Sequence, residues 1–204
     1  MKQPSELTVY YDFLCPWAYR GAIWLQEVER AGRIRTAWKF FSLVENHRRR
    51  DGTDPVPVWE RDGTAKGLPA FRGAVAARAQ GIEAYDRFRL ALQKARHEQK
   101  MQVDEMETHR HAAKAAGLDI ARFERDVKSA GLSSLATDHE DAVRKGVFGV
   151  PTLVWPEGRS YYVKITDLIP PDRAVQLYDA IESVHRFGEL IEIKTPESEG
   201  TLVP

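Results

Sequence analysis

The chain has a single cysteine, Cys15, in 204 residues, so no disulfide can form within it. The two-thiol chemistry of a Cys-x-x-Cys pair is thereby excluded inside one molecule. Net charge is missing as well: 30 basic and 30 acidic side chains cancel. That leaves no bulk attraction toward nucleic acid or an anionic membrane surface, and the expected partner is small. Apolar residues never run for the ~20 positions that a membrane-crossing helix requires. The start, Met-Lys-Gln-Pro-Ser-Glu, passes into a strand-like run with no signal-peptide core, and a lone thiol suits a reducing compartment, so the expected location is the cytoplasm. Gly-rich phosphate loops, a Gly-x-Ser-x-Gly elbow, zinc-type cysteine pairs, internal repeats and low-complexity tracts are all lacking. No metal and no tightly bound cofactor is expected.

What is present suffices for a packed core: 43% of residues are apolar and 10% aromatic, at a length that suits one domain or one domain with a large insertion. Leu7 to Phe13 reads as a strand covered on both faces. From Pro16 the apolar residues, Tyr19, Ala22, Ile23 and Leu25 among them, recur at helical spacing, with proline in the first turn and Gly32 at the end. Ile34 to Val44 reads as a second strand, which makes a right-handed β-α-β opening of a parallel sheet. Glu45 to Gly67 is polar and rich in Pro and Gly, as expected of a long irregular loop that could fold over a site.

Helical segments then follow at 70–79, 82–98, 104–116, 119–130 and 136–145. Asp104 with Glu107 resembles a capping box, and Asp119 is placed to cap the helix bearing Ile120, Phe123 and Val127. Val150 to Trp155 and Tyr161 to Thr166 read as a hairpin turned by Pro156-Glu157-Gly158-Arg159. A last helix begins near Pro170-Pro171-Asp172 and stops at Gly188. Beyond it, Leu190-Ile191-Glu192-Ile193 is expected to pair as an edge strand, and this apolar tail is the feature that would suit a homodimer.

Two motifs carry the chemistry. Cys15-Pro16-Trp17-Ala18 sits where the first strand feeds the first helix. Free N–H groups and the positive end of the helix dipole favour thiolate over thiol there, so a lowered pKa and a nucleophilic sulfur are expected. A lone cysteine taken out of context is more often an inert core residue, and the second motif is what alters that balance. Gly149-Val150-Pro151-Thr152 opens the strand after the helices; a cis Val150–Pro151 bond would turn backbone polar groups toward the helix terminus as a docking edge. Pro16, Trp17, Val150, Pro151 and Thr152 are therefore the candidate substrate-binding residues. Asp12, three residues before the sulfur, is a candidate for assisting proton transfer, although an aspartate ending a strand more often caps a loop or helix entry.

In this order of elements and motifs the chain resembles the DsbA-like thioredoxin superfamily, in particular its FrnE-like and 2-hydroxychromene-2-carboxylate isomerase branches, over roughly residues 7 to 187. Asp12-Phe13-Leu14-Cys15-Pro16-Trp17 is similar to the FrnE-like active-site entry, and Ala142 through Pro151 to the family's helix end and cis-proline loop. The resemblance implies an α/β thioredoxin fold with an all-helical insertion between the second and third strands: residues 1–66 and 147–204 thioredoxin-like, and 67–146 inserted.

The departures count as much. FrnE-like oxidoreductases carry a second cysteine where this chain has Ala18, so the internal resolving thiol is missing. The isomerase branch and the similar kappa-class glutathione transferases have serine at the position of Cys15, in a run Ser-Pro-Tyr-Ala-Tyr close to Cys15-Pro16-Trp17-Ala18-Tyr19, where it is thought to hold the sulfur of glutathione. Three functions follow. In the first, Cys15 attacks a disulfide or an oxidised small molecule and an external thiol resolves the adduct. In the second, Cys15 replaces the family serine and glutathione or another low-molecular-weight thiol is bound for isomerisation or transfer. In the third, the fold is a non-catalytic binding module.

The second function needs cations for carboxylates. His47-Arg48-Arg49-Arg50 could supply them, although such a run is more often a solvated surface. His109 and His111 point to different faces of one helix and do not make a metal pair. His139, within Asp138-His139-Glu140, reads as part of an exposed helix-start cluster, and His97 and His185 as packing or surface residues.

Overall fold

The computed structural model describes residues 4–52, 54–61 and 65–193. Strand β1 (Ser5–Tyr11) enters the core with Leu7, Val9, Tyr10 and Tyr11 all buried, as a run without alternation requires. Helix α1 (Pro16–Arg30) follows after a four-residue turn, and Gly32 in the left-handed region (φ 70°) sends the chain back into β2 (Ile34–Phe40). β1 and β2 pair in parallel with Ser5 opposite Ile34 and Tyr11 opposite Phe40. The remaining strands, β3 (Thr152–Val154) and β4 (Ser160–Tyr162), form an antiparallel hairpin whose first strand pairs antiparallel with β1. The sheet order is β2-β1-β3-β4. Helix α8 (Pro171–Arg186) packs beside α1, where Trp24 Nε1 donates to the Ala174 carbonyl at 2.9 Å. Both hairpin strands are shorter than the sequence pattern suggests, and β2 ends at Phe40 rather than Val44.

The stretch read as an irregular loop is not one. Ser42 Oγ accepts from Glu45 N at 3.1 Å and starts helix α2 (Leu43–Asp51), which Gly52 ends in the left-handed conformation. A single 3₁₀ turn follows at Val58–Glu60; residues 53 and 62–64 of this stretch lie outside the described residues.

Between β2 and β3 the chain then builds α3 (Leu68–Arg78), α4 (Ile82–His97), α5 (Met106–Ala115), α6 (Ile120–Ser129) and α7 (Ser133–Arg144). Asp119 caps α6 as expected, accepting from Arg122 N at 2.9 Å. Asp104 does not form a capping box: both its oxygens accept from Gly67 N at 3.0 Å, pinning the start of α3 instead. The fold is a thioredoxin fold with this helical insertion between the second and third strands.

The inserted helices share a core with the sheet. The rings of Tyr11, Phe13, Phe40, Phe71 and Tyr85 meet at centroid distances of 5.1–6.0 Å, mostly edge to face, a geometry worth roughly 0.5–1.5 kcal/mol per pair beyond burial. The buried Arg89 guanidinium lies 3.7 Å from the Trp38 ring centroid. On the other side α7 grips the sheet: Tyr10 donates to Asp141 at 2.6 Å, Phe40 N to Asp138 at 3.1 Å and Ser42 N to His139 Nδ1 at 3.2 Å. His139 is therefore fully buried rather than part of an exposed cluster.

The tail also differs from expectation. Leu190–Ile193 forms no strand; Leu190 N closes a turn on Phe187 O and Tyr161 hydroxyl donates to Leu190 O, so these atoms are used away from any ladder. Ile191 and Ile193 stand exposed. The tail beyond residue 193 lies outside the described residues.

Candidate active site at the start of the first helix

Cys15 is the N-cap of α1, with extended backbone (φ −87°, ψ 114°), and Pro16 occupies the first helical position where no N–H is needed. Its sulfur accepts from Ala18 N at 3.4 Å and donates to the Val150 carbonyl at 3.1 Å. The Val150–Pro151 peptide is cis. The two sequence motifs, 135 residues apart, thus meet through one sulfur–carbonyl contact. The Pro151 ring lies against α1 where Gly21 has no side chain: a Cβ there would stand 3.0 Å from Pro151 Cγ. Gly21→Ala is expected to push the proline loop off α1, costing roughly 1–3 kcal/mol in urea unfolding and exposing Cys15 to faster alkylation.

The expected thiolate is not what this environment favours. Cys15 is 3% exposed, and burial pushes its thiol up to about 11. The Ala18 and Trp17 N–H groups pull the other way, while the neighbouring Asp12 adds to the rise. Removal from water outweighs the helix terminus, and the resting sulfur is a neutral thiol that keeps its proton for Val150.

Asp12 is itself buried, with Oδ1 accepting from Leu14 N at 2.8 Å and Oδ2 from Leu43 N at 2.7 Å. It clamps the Cys15 turn to the start of α2. Burial raises its carboxyl to about 6 against the opposing pull of those two amides. Thr152 is also engaged internally, its hydroxyl donating to Gly149 O at 2.7 Å. Trp17 lies beside the sulfur turn with its ring under the Lys164 ammonium at 4.3 Å.

Several contributors carried no signal in the sequence. Asn46 on α2 donates from Nδ2 to Phe148 O at 3.1 Å and so ties α2 to the proline loop. A cleft of about 450 Å³ opens beside Cys15, with Leu14, Pro16, Tyr19 and Arg20 on one side and the end of α4, including Arg96, His97 and Lys100, on the other. His97 is a wall of this cleft, stacked on Tyr19 at 5.4 Å and bonded through Nε2 to Phe13 O at 2.9 Å.

Two cations of the basic run at 47–50 are engaged inside the protein, while His47 and Arg50 stand exposed. Arg48 and Arg49 hold the fully buried Glu45 at 2.6–2.8 Å, and Arg49 also pairs with Glu140. His109 is buried against Val103 O while His111 is exposed. His185 is buried, stacked on Trp155.

A mixed sheet with this strand order, a cysteine capping the first helix and a cis-proline loop against it define a protein of the thioredoxin fold. A family model described as the DSBA-like thioredoxin domain matches residues 6–181, and the chain belongs to that family. Among curated proteins it is 24% identical over 195 residues to an uncharacterized protein of Mycobacterium tuberculosis, covering 95% of this chain and 83% of that one.

Among solved structures it is similar to 2-hydroxychromene-2-carboxylate isomerase (TM-score 0.64, 16% identity, 89% of this chain and 96% of the other). It is similar also to the cytosolic disulfide reductase DsbM from Pseudomonas aeruginosa (TM-score 0.59, 18% identity, 87% and 98%). A third is the thiol-disulfide exchange protein alpha-DsbA2 from Wolbachia pipientis (TM-score 0.61, 15% identity, 89% and 82%). At these identities the likeness is one of fold. Among the described residues no helix is long and apolar enough to cross a membrane.

Proposed function

We propose that the protein is a cytoplasmic monothiol oxidoreductase acting through Cys15 on a small disulfide or thiol-derived substrate. The observation that carries this reading is the 3.1 Å contact between Cys15 Sγ and Val150 O. A substrate N–H that docks on the Val150 carbonyl competes with the thiol for it, so docking and release of the sulfur's proton are one event. The thiolate, held by Ala18 N, attacks one sulfur of the disulfide; the S–S bond breaks, a mixed disulfide forms and the other half leaves as thiolate to take up a proton. With Ala18 in place of a second cysteine, an external thiol such as glutathione then attacks the substrate's sulfur, and Cys15 departs as the thiol.

Asp12, whose carboxyl sits at about 6 and is mostly ionised at neutral pH, is the proton acceptor: transfer from a thiol at about 11 runs uphill, and the repulsion between the two negative charges, relieved when the proton reaches Asp12, lowers that cost. Trp17 and the Val150–Thr152 edge position the substrate. Cys15→Ser is expected to abolish thiol exchange in a mixed-disulfide assay while leaving the unfolding midpoint nearly unchanged; full exchange activity in that variant overturns the mechanism.

One observation favours a second reading. A buried thiol that stays protonated can act as a hydrogen-bond donor, as the serine of the isomerase and kappa-class relatives is thought to do, and would then hold the thiolate of glutathione rather than attack. Calorimetry with reduced glutathione separates the two: tight binding is required by the isomerase or transferase reading and not by the redox one.

A further inference from the structure

The cleft beside Cys15 carries more charge than the sulfur chemistry uses. Arg20 on α1 and Arg96 and Lys100 at the end of α4 all line it, within reach of Leu14 and Pro16, the two neighbours of Cys15. None of the three is in an ion pair among the described residues. Arg20 gives a long bond to Ile165 O at 3.4 Å, Lys100 bonds His97 O at 2.8 Å, and Arg96 has no polar partner among the described residues. Their fields converge, for all three oppose protonation of the half-buried His97 between them.

Two carboxylates share the cleft, but each is engaged: Glu98 accepts from the Tyr19 hydroxyl and lies 3.7 Å from Lys94, and Asp167 accepts from Leu168 N at 2.7 Å. Three cations against two carboxylates leave an excess of one positive charge. That suits a monoanion better than a doubly charged phosphate.

Lys100 adds an independent observation. Every other described residue with positive φ is glycine, yet Lys100 holds φ 60°. A lysine in this conformation is strained where glycine would not be, and such strain gathers where a side chain is needed for a ligand.

We propose that this cleft is a subsite for the carboxylate of the small substrate or resolving thiol, bridging the thioredoxin-like part and the inserted helices, with Arg96 and Lys100 as the specificity-determining side chains. The proposal rests on the reading of Cys15 as the reacting group. A planar guanidinium grips a carboxylate through paired hydrogen bonds, and a cleft of about 450 Å³ admits a ligand of small-molecule size. The subsite would sit on the helix side of the sulfur, leaving Val150 free to receive the substrate's backbone or amide.

The test uses two disulfides that differ in charge, dithiodipropionate with a carboxylate at each end and the neutral hydroxyethyl disulfide, with the mixed disulfide on Cys15 followed by intact mass. Taking the ratio of the two rates in each protein cancels the intrinsic reactivity of the probes. Arg96→Ala and Lys100→Gly are each expected to lower the ratio of carboxylate-probe to neutral-probe rate by about tenfold, the loss of one charge-assisted contact. High salt is expected to compress the wild-type ratio in the same direction.

Lys100→Gly should keep or raise the unfolding temperature while losing the preference, which a merely structural role would not produce. An unchanged ratio in both variants, or equal slowing of the two probes, overturns the subsite and leaves Cys15 chemistry standing. Failure of both probes to modify the wild type overturns the reading of Cys15 itself, and the subsite with it, whereas modification by the neutral probe alone overturns only the subsite.

Discussion

Alkylation of Cys15 in the folded protein is expected to climb with pH toward about 11, and in denaturant to climb near the ordinary thiol value. At pH 7.5 two units of pKa mean about a hundredfold less thiolate, so iodoacetamide labelling in buffer should be about a hundredfold slower than in urea. The sign for stability follows from the direction of the shift. A thiol whose folded pKa is raised contributes stability that is fully present below its unfolded pKa and is lost as pH rises through about 11, so the protein should become labile in alkali.

Asp12→Asn separates the two parts of the account. With the neighbouring negative charge gone, the labelling midpoint should fall; with the proton carrier gone, exchange activity at neutral pH should fall as well. A general loosening of the site would instead raise labelling at every pH, and unchanged activity in Asp12→Asn would remove Asp12 from the mechanism. A docked substrate should also lower the apparent labelling midpoint, because it takes the Val150 carbonyl from the thiol. If the free protein already labels with a midpoint below the ordinary thiol value, the helix terminus outweighs burial and the resting sulfur is a thiolate.

The parts of this arrangement that were legible in the sequence are those governed by local rules. Proline after Cys15, glycine after α1, Asp119 before α6 and the Pro-Glu-Gly turn each act within a few residues, and the elements they bound are where the pattern puts them. Cys15 and Pro151 could be named because their motifs are local; that they touch could be expected only through the resemblance of element order.

What was illegible depends on packing. The N-terminus of a helix favours thiolate, but whether that preference prevails is set by how much water reaches the sulfur, and nothing near Cys15 in sequence records the covering chain from residue 150. The Ser42-Leu43-Val44-Glu45 spacing was a readable helix start lost among the prolines and glycines that follow it. Asp104 shows the opposite error: it has capping-box spacing, yet its carboxylate is drawn to Gly67 N, 37 residues away. The arginines after His47 look like a solvated run because their partner, Glu45, is itself charged and by composition alone belongs outside.

That buried Glu45 carries the second large effect. Its carboxylate is fully buried, yet Arg48, Arg49 and the Val58 amide all bond it, at 2.6–3.0 Å. Burial opposes its ionisation, and these partners more than reverse the penalty, holding it at about 2. Glu45→Ala removes the charge that two arginines and one amide face, and breaking one side of a buried pair costs roughly 3–5 kcal/mol. A loss of that size is expected in urea unfolding, whereas under about 1 kcal/mol would mean the network is no stronger than a surface ion pair.

The consequence should extend to the sulfur. The first turn of α2 presents Leu43 N to Asp12, and Asn46 on the same helix holds Phe148 O beside the proline loop. Unseating α2 therefore loosens both walls around Cys15, and labelling should accelerate in Glu45→Ala at temperatures where the protein remains folded. The pH dependence provides a separate check. Glu45, with its depressed folded pKa, contributes stability that is present above its unfolded value and lost as pH falls through about 2. His139, buried beneath α2 with its proton affinity lowered to about 4 mainly by burial, contributes stability lost as pH falls from about 6.5 through 4. Glu45→Gln should abolish the lower of these two windows and keep the upper, while His139→Phe should do the reverse.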